Sequence, residues 1–319
     1  MTEKQRVGFV TAGDLSRYMP SKKNPLYTHD DQAAVDDLTA HGWEVAPVVW
    51  GTPPEQLRRG GFALLVVRSP WDYMDSDLTR TSFLAWITLL AAAGLTVVND
   101  ITLMLWSLDK HYLGDLAEVG ATVVPTVFLG PDQPCNLAEW VAERGPLVVK
   151  PAIAAAAKDA HRIMTPAAAA NLDFAALRSG RTFLIQPYLP EIVSTGEWSL
   201  VMIDGVFSHA VWKRPALGNW LVQDELGGSV ESAVPPDSVL AAAEHTWSLL
   251  PAAFGLRERA RYVAPLYGRI DVILTAKGPL TSELELVEPE LFFLKRAATG
   301  NQPDHEALRR FREGLLRYV

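Results

Sequence analysis

Two lysines and a series of carboxylates define the chemistry this chain can perform. Lys150 closes the apolar run Gly145-Pro-Leu-Val-Val-Lys150 and precedes Pro151, a context that argues against simple surface exposure. Lys110 lies upstream in a segment with helical character. Two cations of this kind suit phosphate groups. Asp271 sits inside Arg269-Ile-Asp-Val-Ile-Leu274, an otherwise apolar strand-like run. A bare carboxylate buried there costs several kcal/mol, so it must be paired, hydrogen-bonded or bound to metal. Glu283, Glu285, Glu288 and Glu290 follow closely. Carboxylates gathered on neighbouring strands suit magnesium, a hard cation that takes one or two of them together with substrate phosphates. Strand parity puts Glu283 and Glu285 on one face and Glu288 and Glu290 on the other, unless a bulge intervenes. The competing reading is a solvated edge strand that discourages aggregation. Arg214, just after a β run, could grip a phosphate through two parallel bonds. Arg68 and Asp72 read equally well as substrate contacts or as a structural ion pair. His209 reads as a hydrogen-bonded strand residue.

Short strands and helices must position these groups. Val7–Val10, Val45–Val49, Leu64–Val67 and Leu95–Val98 are continuous apolar runs of the kind buried in a parallel sheet. Asp30–His41 and Ser82–Ala93 carry helical stripes between them. Strand, helix, strand at this spacing makes βαβ units, whose functional groups collect at the strand carboxyl ends. A helix over Leu108–Val119 follows, then a strand over Thr122–Phe128, a helix over Leu137–Arg144 and strands at Leu147–Lys150 and Thr182–Gln186, forming a second, small α/β unit. Beyond Glu197 the pattern becomes antiparallel. Trp198–Ile203 and Val206–Lys213 flank Asp204-Gly205, a hairpin signal. Pro235–Phe254 reads as one helix, and Tyr267–Leu274 with Ser282–Val287 as a last strand pair.

Composition narrows the class. With 319 residues, 49% hydrophobic and 21% charged, the chain is an ordinary globular protein large enough for several subdomains. A net charge of −8 leaves no basic footprint for nucleic acid or an anionic membrane. Its single cysteine, Cys135, excludes an internal disulfide framework and fits a reducing compartment. The first residues lack a signal-peptide pattern, so the expected location is cytoplasmic. No Ser-His-Asp order, zinc-spaced Cys-His cluster, Walker lysine loop or dinucleotide glycine fingerprint is present.

Several stretches then stand in a telling order: Arg68-Ser-Pro-Trp-Asp-Tyr73, Leu105-Trp-Ser-Leu-Asp-Lys110, Val149-Lys-Pro151, Gln186-Pro-Tyr-Leu189, Gly196-Glu-Trp-Ser-Leu200, Lys213-Arg-Pro215 and Glu285-Leu-Val-Glu-Pro-Glu-Leu-Phe292. Together they resemble the ATP-grasp superfamily, most of all its glutathione-synthetase-like branch, which includes the D-cycloserine-forming cyclo-ligase. The resemblance implies an α/β (α+β) ATP-grasp fold. Residues 1–104 would form an N-terminal open parallel α/β domain, 105–189 a small central lid subdomain, and 190–319 a C-terminal antiparallel-sheet subdomain with the metal site. It implies ATP and Mg2+ as cofactors, and small-molecule carboxylate and amine substrates joined through an acyl phosphate, with ring closure within one molecule left open. Lys110 and Lys150 would contact phosphates, Gln186, Pro187, Tyr188 and Leu189 would form the adenine hinge, and Glu197 would hold the ribose. Asp271, Glu285 and Glu288 would bind the metal, with Glu290 a further candidate where the family often has asparagine. Arg214, with Lys150, would act in catalysis, and Arg68 and Asp72 would face the acceptor. A homodimer is left open. Departures concern the loop Ala154-Ala-Ala-Ala157, which favours helix over the positive φ of a glycine loop, and Leu221 and Ser107, where relatives often carry arginine and asparagine. A nucleotide-binding protein that keeps the fold without turnover is the alternative these departures raise.

Overall fold

The computed structural model describes residues 6–19, 25–154, 157–222, 227–295 and 300–319. Strands β1 (Arg6–Thr11), β2 (Glu44–Val49), β3 (Leu64–Ser69) and β4 (Val97–Val98) form a parallel sheet in the order β2-β1-β3-β4. The helix Asp77–Ala92 begins earlier than the apolar stripe suggests, because Ser76 and Thr79 cap each other's backbone amides at its start. The expected strand over Leu95–Val98 shortens to β4, since the chain is still turning through Gly94 at φ 69°. Among the described residues, no helix is long and apolar enough to cross a membrane.

All six residues of β3 are buried, Arg68 and Ser69 included. Arg68 is 2% exposed. Its Nε donates to Asp31 Oδ1 at 2.9 Å and its Nη2 to the Pro289 carbonyl at 3.0 Å. Asp72 accepts from the Gly13 amide at 3.0 Å and from the Trp50 indole. Arg68 thus takes the structural role that the sequence left open, although its partner is Asp31 and not Asp72, and the half-buried Asp72 is held by internal bonds of its own. A strand buried on both faces has no solvent side, so a cation in it must take an internal partner. Replacing Arg68 with leucine leaves Asp31 without its cation, and a loss of about 3–5 kcal/mol in unfolding free energy is expected. Urea unfolding checks this; a loss below about 1 kcal/mol would contradict it.

The second sheet departs from the α/β expectation. Strands β5 (Val127–Leu129), β6 (Leu147–Pro151), β7 (His161–Ile163) and β8 (Phe183–Pro187) pair in the order β5-β8-β6-β7, and every pairing is antiparallel. The helix expected over Leu108–Val119 is broken: one helix spans Ile101–Leu108, the next Tyr112–Glu118. Asp109 turns extended between them, and its carboxylate accepts the His111 amide at 3.1 Å. Lys110 thus sits in a turn, its own amide bonded to the Ala152 carbonyl at 2.9 Å. The strand expected over Thr122–Phe128 survives only as β5, because Val123 and Val124 pair with Thr281 of the third sheet.

That third sheet runs β11-β10-β9-β12-β13, with β9 (Glu197–Ile203), β10 (Val206–Arg214), β11 (Ser229–Ser232), β12 (Tyr267–Thr275) and β13 (Gly278–Glu285) all antiparallel. The hairpin between β9 and β10 turns on Asp204 (φ 55°) and Gly205 (φ 80°), as the Asp-Gly pair predicts. The expected helix over Pro235–Phe254 is two, Asp237–Ser248 and Leu250–Arg257. Pro251, which has no amide to donate, lies in the first turn of the second. Leu200, Met202, Ile270, Val272 and Leu284 point from the sheet toward Trp247, Leu250 and Phe254 of these helices in one apolar cluster.

Candidate active site

Strand alternation puts the opposite face of the third sheet to chemical use. The register sets Lys213 opposite Glu197, Ser199 beside Asp271, Asp271 beside Glu283, and Arg269 beside Glu285. Because the period is two, these groups share one face while their apolar neighbours share the other. A bulge at Ser282, where Asp271 pairs with Glu283 but Val272 pairs with Thr281, lets the Ser282 hydroxyl also reach Glu197 at 2.8 Å. Gly196, at φ 76°, leads into Glu197 where a Cβ would meet the Lys213 carbonyl at 2.3 Å. Only glycine allows that approach.

This face, the inner side of β6 and the carboxyl end of the first sheet enclose a cavity of about 480 Å³, within the range of small-ligand sites. Lys110 and Lys150 both line it. Lys110 Nζ lies 3.0 Å from Glu283 and donates to the Ala154 carbonyl at 2.8 Å. Lys150 has no ion-pair partner among the described residues. Past Lys150 the described part of the alanine loop is a turn and no helix. Ala157 takes φ 54° and Asp159 φ 58°, so alanine does adopt the left-handed conformation here, at a cost of order 1 kcal/mol. Residues 155 and 156 of that loop lie outside the described residues. From the turn, Lys158 Nζ reaches across to the carbonyls of Met74 (3.0 Å) and Asp75 (2.8 Å).

Arg269 is the hinge of the electrostatics. Its Nε and Nη2 grip Asp271 at 2.9 and 3.0 Å, and Nη2 also reaches Glu285 at 2.6 Å. Burial works to raise Asp271, but Arg269, Lys213 (3.6 Å away) and the Ser199 hydroxyl (2.6 Å) outweigh it and hold the carboxyl at about 2. Burial pushes Glu285 up to about 8 against the pull of Arg269, with Glu283, Asp271 and Glu288 adding to the rise. Burial likewise lifts Glu197 to about 7, with Asp271 adding and Lys213 opposing. Burial lowers Lys150, and the neighbouring Lys110 lowers it further. For Lys110 itself, Glu283 overcomes burial and raises it. Oxygen atoms of Asp271, Glu283 and Glu285 lie within 4.8 Å of one another, close enough to share one cation.

Comparison with known proteins places this arrangement. The N-terminal domain model of D-cycloserine synthetase DcsG matches residues 7–99. The cycloserine biosynthesis protein DcsG of Streptomyces lavendulae is 30% identical over 261 residues, 78% of this chain and 80% of that protein. The chain belongs to the DcsG family. The crystal structure of D-cycloserine synthetase DcsG superposes with a TM-score of 0.75 at 24% identity, over 98% of this chain and all of the other. The D-alanine–D-alanine ligase of Bacillus anthracis complexed with ATP superposes at 0.66 with 14% identity, over 99% and 98%. By kinship and fold the protein is an ATP-grasp, ATP-dependent ligase of small-molecule biosynthesis.

In this DcsG-family ligase the structure gathers Lys110, Lys150, Glu197, Asp271, Glu285 and Glu288 around one cavity. Glu288 joins Glu285 despite strand parity because β13 stops at Glu285 and the chain bends through residues 286–288. Glu290 lines the cavity too. Gln186 is buried in β8, bonded to the Thr126 hydroxyl at 2.8 Å, and none of Gln186 to Leu189 lines the cavity. Arg214 stays outside. It faces away from Lys213 by one residue of alternation, pairs with Glu231 at 2.6 Å and stacks over Trp212. Lys213, Arg269 and Tyr73 line the cavity although the sequence reading gave them no role, and alternation from Asp271 marks Arg269; Glu283, named there only as one of four candidate carboxylates, joins Asp271 and Glu285. Leu221 lines the cavity as an apolar wall, and Ser107 bonds the Met104 carbonyl at its edge.

Proposed function

We propose that the protein uses ATP and magnesium in this cleft to activate a small carboxylate for attack by an amine or similar nucleophile, intramolecularly where a ring is closed. The carboxylate oxygen takes the γ-phosphoryl group and ADP leaves. The amine then attacks the acyl carbon, loses a proton and displaces phosphate. What carries this reading is the meeting of two phosphate-suited lysines and a shared carboxylate trio in one cavity. The trio offers only oxygen donors, which fits a hard divalent cation. Asp271, Glu283, Glu285 and Glu288 are the carboxylates from which magnesium would take its one or two protein ligands, and when bound it would offset phosphate charge. Lys110 and Lys150 bind the phosphates, while Lys213 and Arg269 face the position where negative charge develops. Of the four residues expected to form an adenine hinge, Pro187 has no amide and Tyr188 spends its own on the Pro146 carbonyl at 2.9 Å, which leaves the hinge role, at a place outside the lined cavity, to Gln186 and Leu189. Glu197, with one oxygen held by Ser282 and the other 4.0 Å from Lys213 Nζ, would turn that second oxygen to a ribose hydroxyl. Incubation with MgATP and a panel of amino acids should release ADP and phosphate with at least one substrate. ADP binding that stabilises the fold, with no phosphate released by any candidate, would favour the non-turnover reading that Leu221 and the alanine turn suggest.

The acidic trio makes metal binding pH-dependent. At neutral pH Glu285, lifted to about 8, keeps its proton in most molecules, and the metal must displace it. Raising the pH removes the competing proton. Magnesium affinity of the ADP-bound protein should therefore rise tenfold or more from about pH 6.5 to about pH 8.5 and then level off. Calorimetric titrations across this range check it, and a flat profile would remove Glu285 from the ligand set.

A further inference from the structure

The segment between the end of β13 and Leu291 has no strand ladder to hold it, yet it carries Glu288 and Glu290 into the cavity. Three side chains far away in sequence grip it. Asn99 Nδ2 donates to the Leu286 carbonyl at 2.8 Å, the Tyr73 hydroxyl donates to Glu288 Oε1 at 2.7 Å, and Arg68 Nη2 donates to the Pro289 carbonyl at 3.0 Å. All three come from the carboxyl end of the parallel sheet: Arg68 from β3, Tyr73 from the turn after it, and Asn99 from the residue after β4.

Asn99 is the most committed of them. It is fully buried and holds φ 65°, a conformation asparagine tolerates better than most residues. The same Nδ2 also donates to the Tyr267 carbonyl at 2.9 Å, and Oδ1 accepts the Leu266 amide at 2.8 Å. One side chain thus pins the start of β12 to the residue just past β13. Tyr73 is equally fixed, 2% exposed and stacked on Phe83 with ring centroids 4.3 Å apart.

We infer that Arg68, Tyr73 and Asn99 are positioning residues, a clamp by which the N-terminal sheet sets Glu288 on the cavity wall that also holds the Asp271, Glu283 and Glu285 trio, against the parity of the strand it follows. A continued strand would turn Glu288 to the face opposite Glu285. Bonds at residues 286, 288 and 289 replace the ladder and hold the bend instead. The inference rests on the reading of Glu288 as a metal carboxylate. It gives Arg68 a role in the reaction that involves no substrate contact, and makes the N-terminal sheet part of the metal site's support.

Manganese, followed by the paramagnetic signal of the free ion, serves as the probe in the ADP-bound protein. Tyr73→Phe keeps the stacked ring and removes only the hydroxyl. Outer partners of metal ligands commonly set affinity by ten- to a hundredfold. Tyr73→Phe should weaken manganese binding about tenfold while metal-free ADP affinity stays at the parental value, and Asn99→Ser, which shortens the bridge, should do the same. Glu288→Gln should weaken manganese at least as much. If Tyr73→Phe only lowers the melting temperature and binds manganese as the parent does, while Glu288→Gln weakens it, the bonds are packing alone and the clamp is overturned. If Glu288→Gln itself leaves manganese affinity unchanged, Glu288 is no ligand, and the metal reading and the clamp fall together.

Discussion

Lys150→Met is expected to abolish most of the thermal stabilisation that ATP gives the protein, while leaving the nucleotide-free protein as stable as before or more so. Lys110 already has Glu283 at 3.0 Å, whereas Lys150 has no ion-pair partner among the described residues. Burial and the neighbouring Lys110 disfavour its charged form. An ammonium whose proton affinity falls on folding costs stability at any pH where the unfolded chain keeps it charged, and an apolar methionine removes that cost. On the proposed reading a phosphate would supply the missing partner, and a charged hydrogen bond of this kind contributes about 1.5–3 kcal/mol. Ligand at a hundred times its dissociation constant stabilises a fold by about 2.7 kcal/mol. A hundredfold loss of affinity would cut that to about 0.4 kcal/mol at the same concentration. Thermal unfolding with and without ATP measures both halves of the expectation. An ATP-induced shift in Lys150→Met equal to that of the parent would remove the lysine from the nucleotide site.

Why some of this was legible in sequence and some was not follows from the range over which each signal acts. The Asp204-Gly205 hairpin, the first three continuous apolar strands and the helix Leu137–Arg144 are set within a few residues, and they appear where the pattern puts them. Asp271 was legible for the same reason, as a carboxylate at odds with an apolar strand, whereas Glu197 was pointed to only by the family resemblance. Lys110 was placed on a helix because nothing local reveals that its amide is claimed by Ala152, a contact made through the second sheet. Arg68 lies in a strand buried on both faces, where alternation carries no inside or outside, so its partner could be found only in three dimensions. The parity argument for the glutamates is sound within β13 and fails at Glu288, because the end of that strand is decided by Asn99 and Tyr73 rather than by the strand's own residues. Fold follows from many redundant local signals, whereas the site depends on single registers.

The neighbouring cations Lys213 and Arg214 turn that dependence into an experiment. Read along the sequence, arginine is the better phosphate clamp, with five donors in a planar fork. The pairing of Lys213 with Glu197 decides otherwise: Lys213 enters the cavity, 3.6 Å from Asp271, and the next residue must leave it. Arg214 is then an exposed partner of Glu231, and pairs of that type contribute about 0–1 kcal/mol. Arg214→Ala should retain ATP-dependent phosphate release within about twofold of the parent. Lys213→Met should lower the turnover rate about a hundredfold or more, the usual effect of removing one preorganised donor from developing charge. Its effect on KM should be smaller, because the contact is strongest where the charge is greatest. ADP should bind both variants, which separates a lost catalytic contact from a lost fold. Should Arg214→Ala prove the damaging change and Lys213→Met the silent one, β10 must slip by one residue in the working enzyme, and every side chain assigned to the cavity from that strand changes face with it.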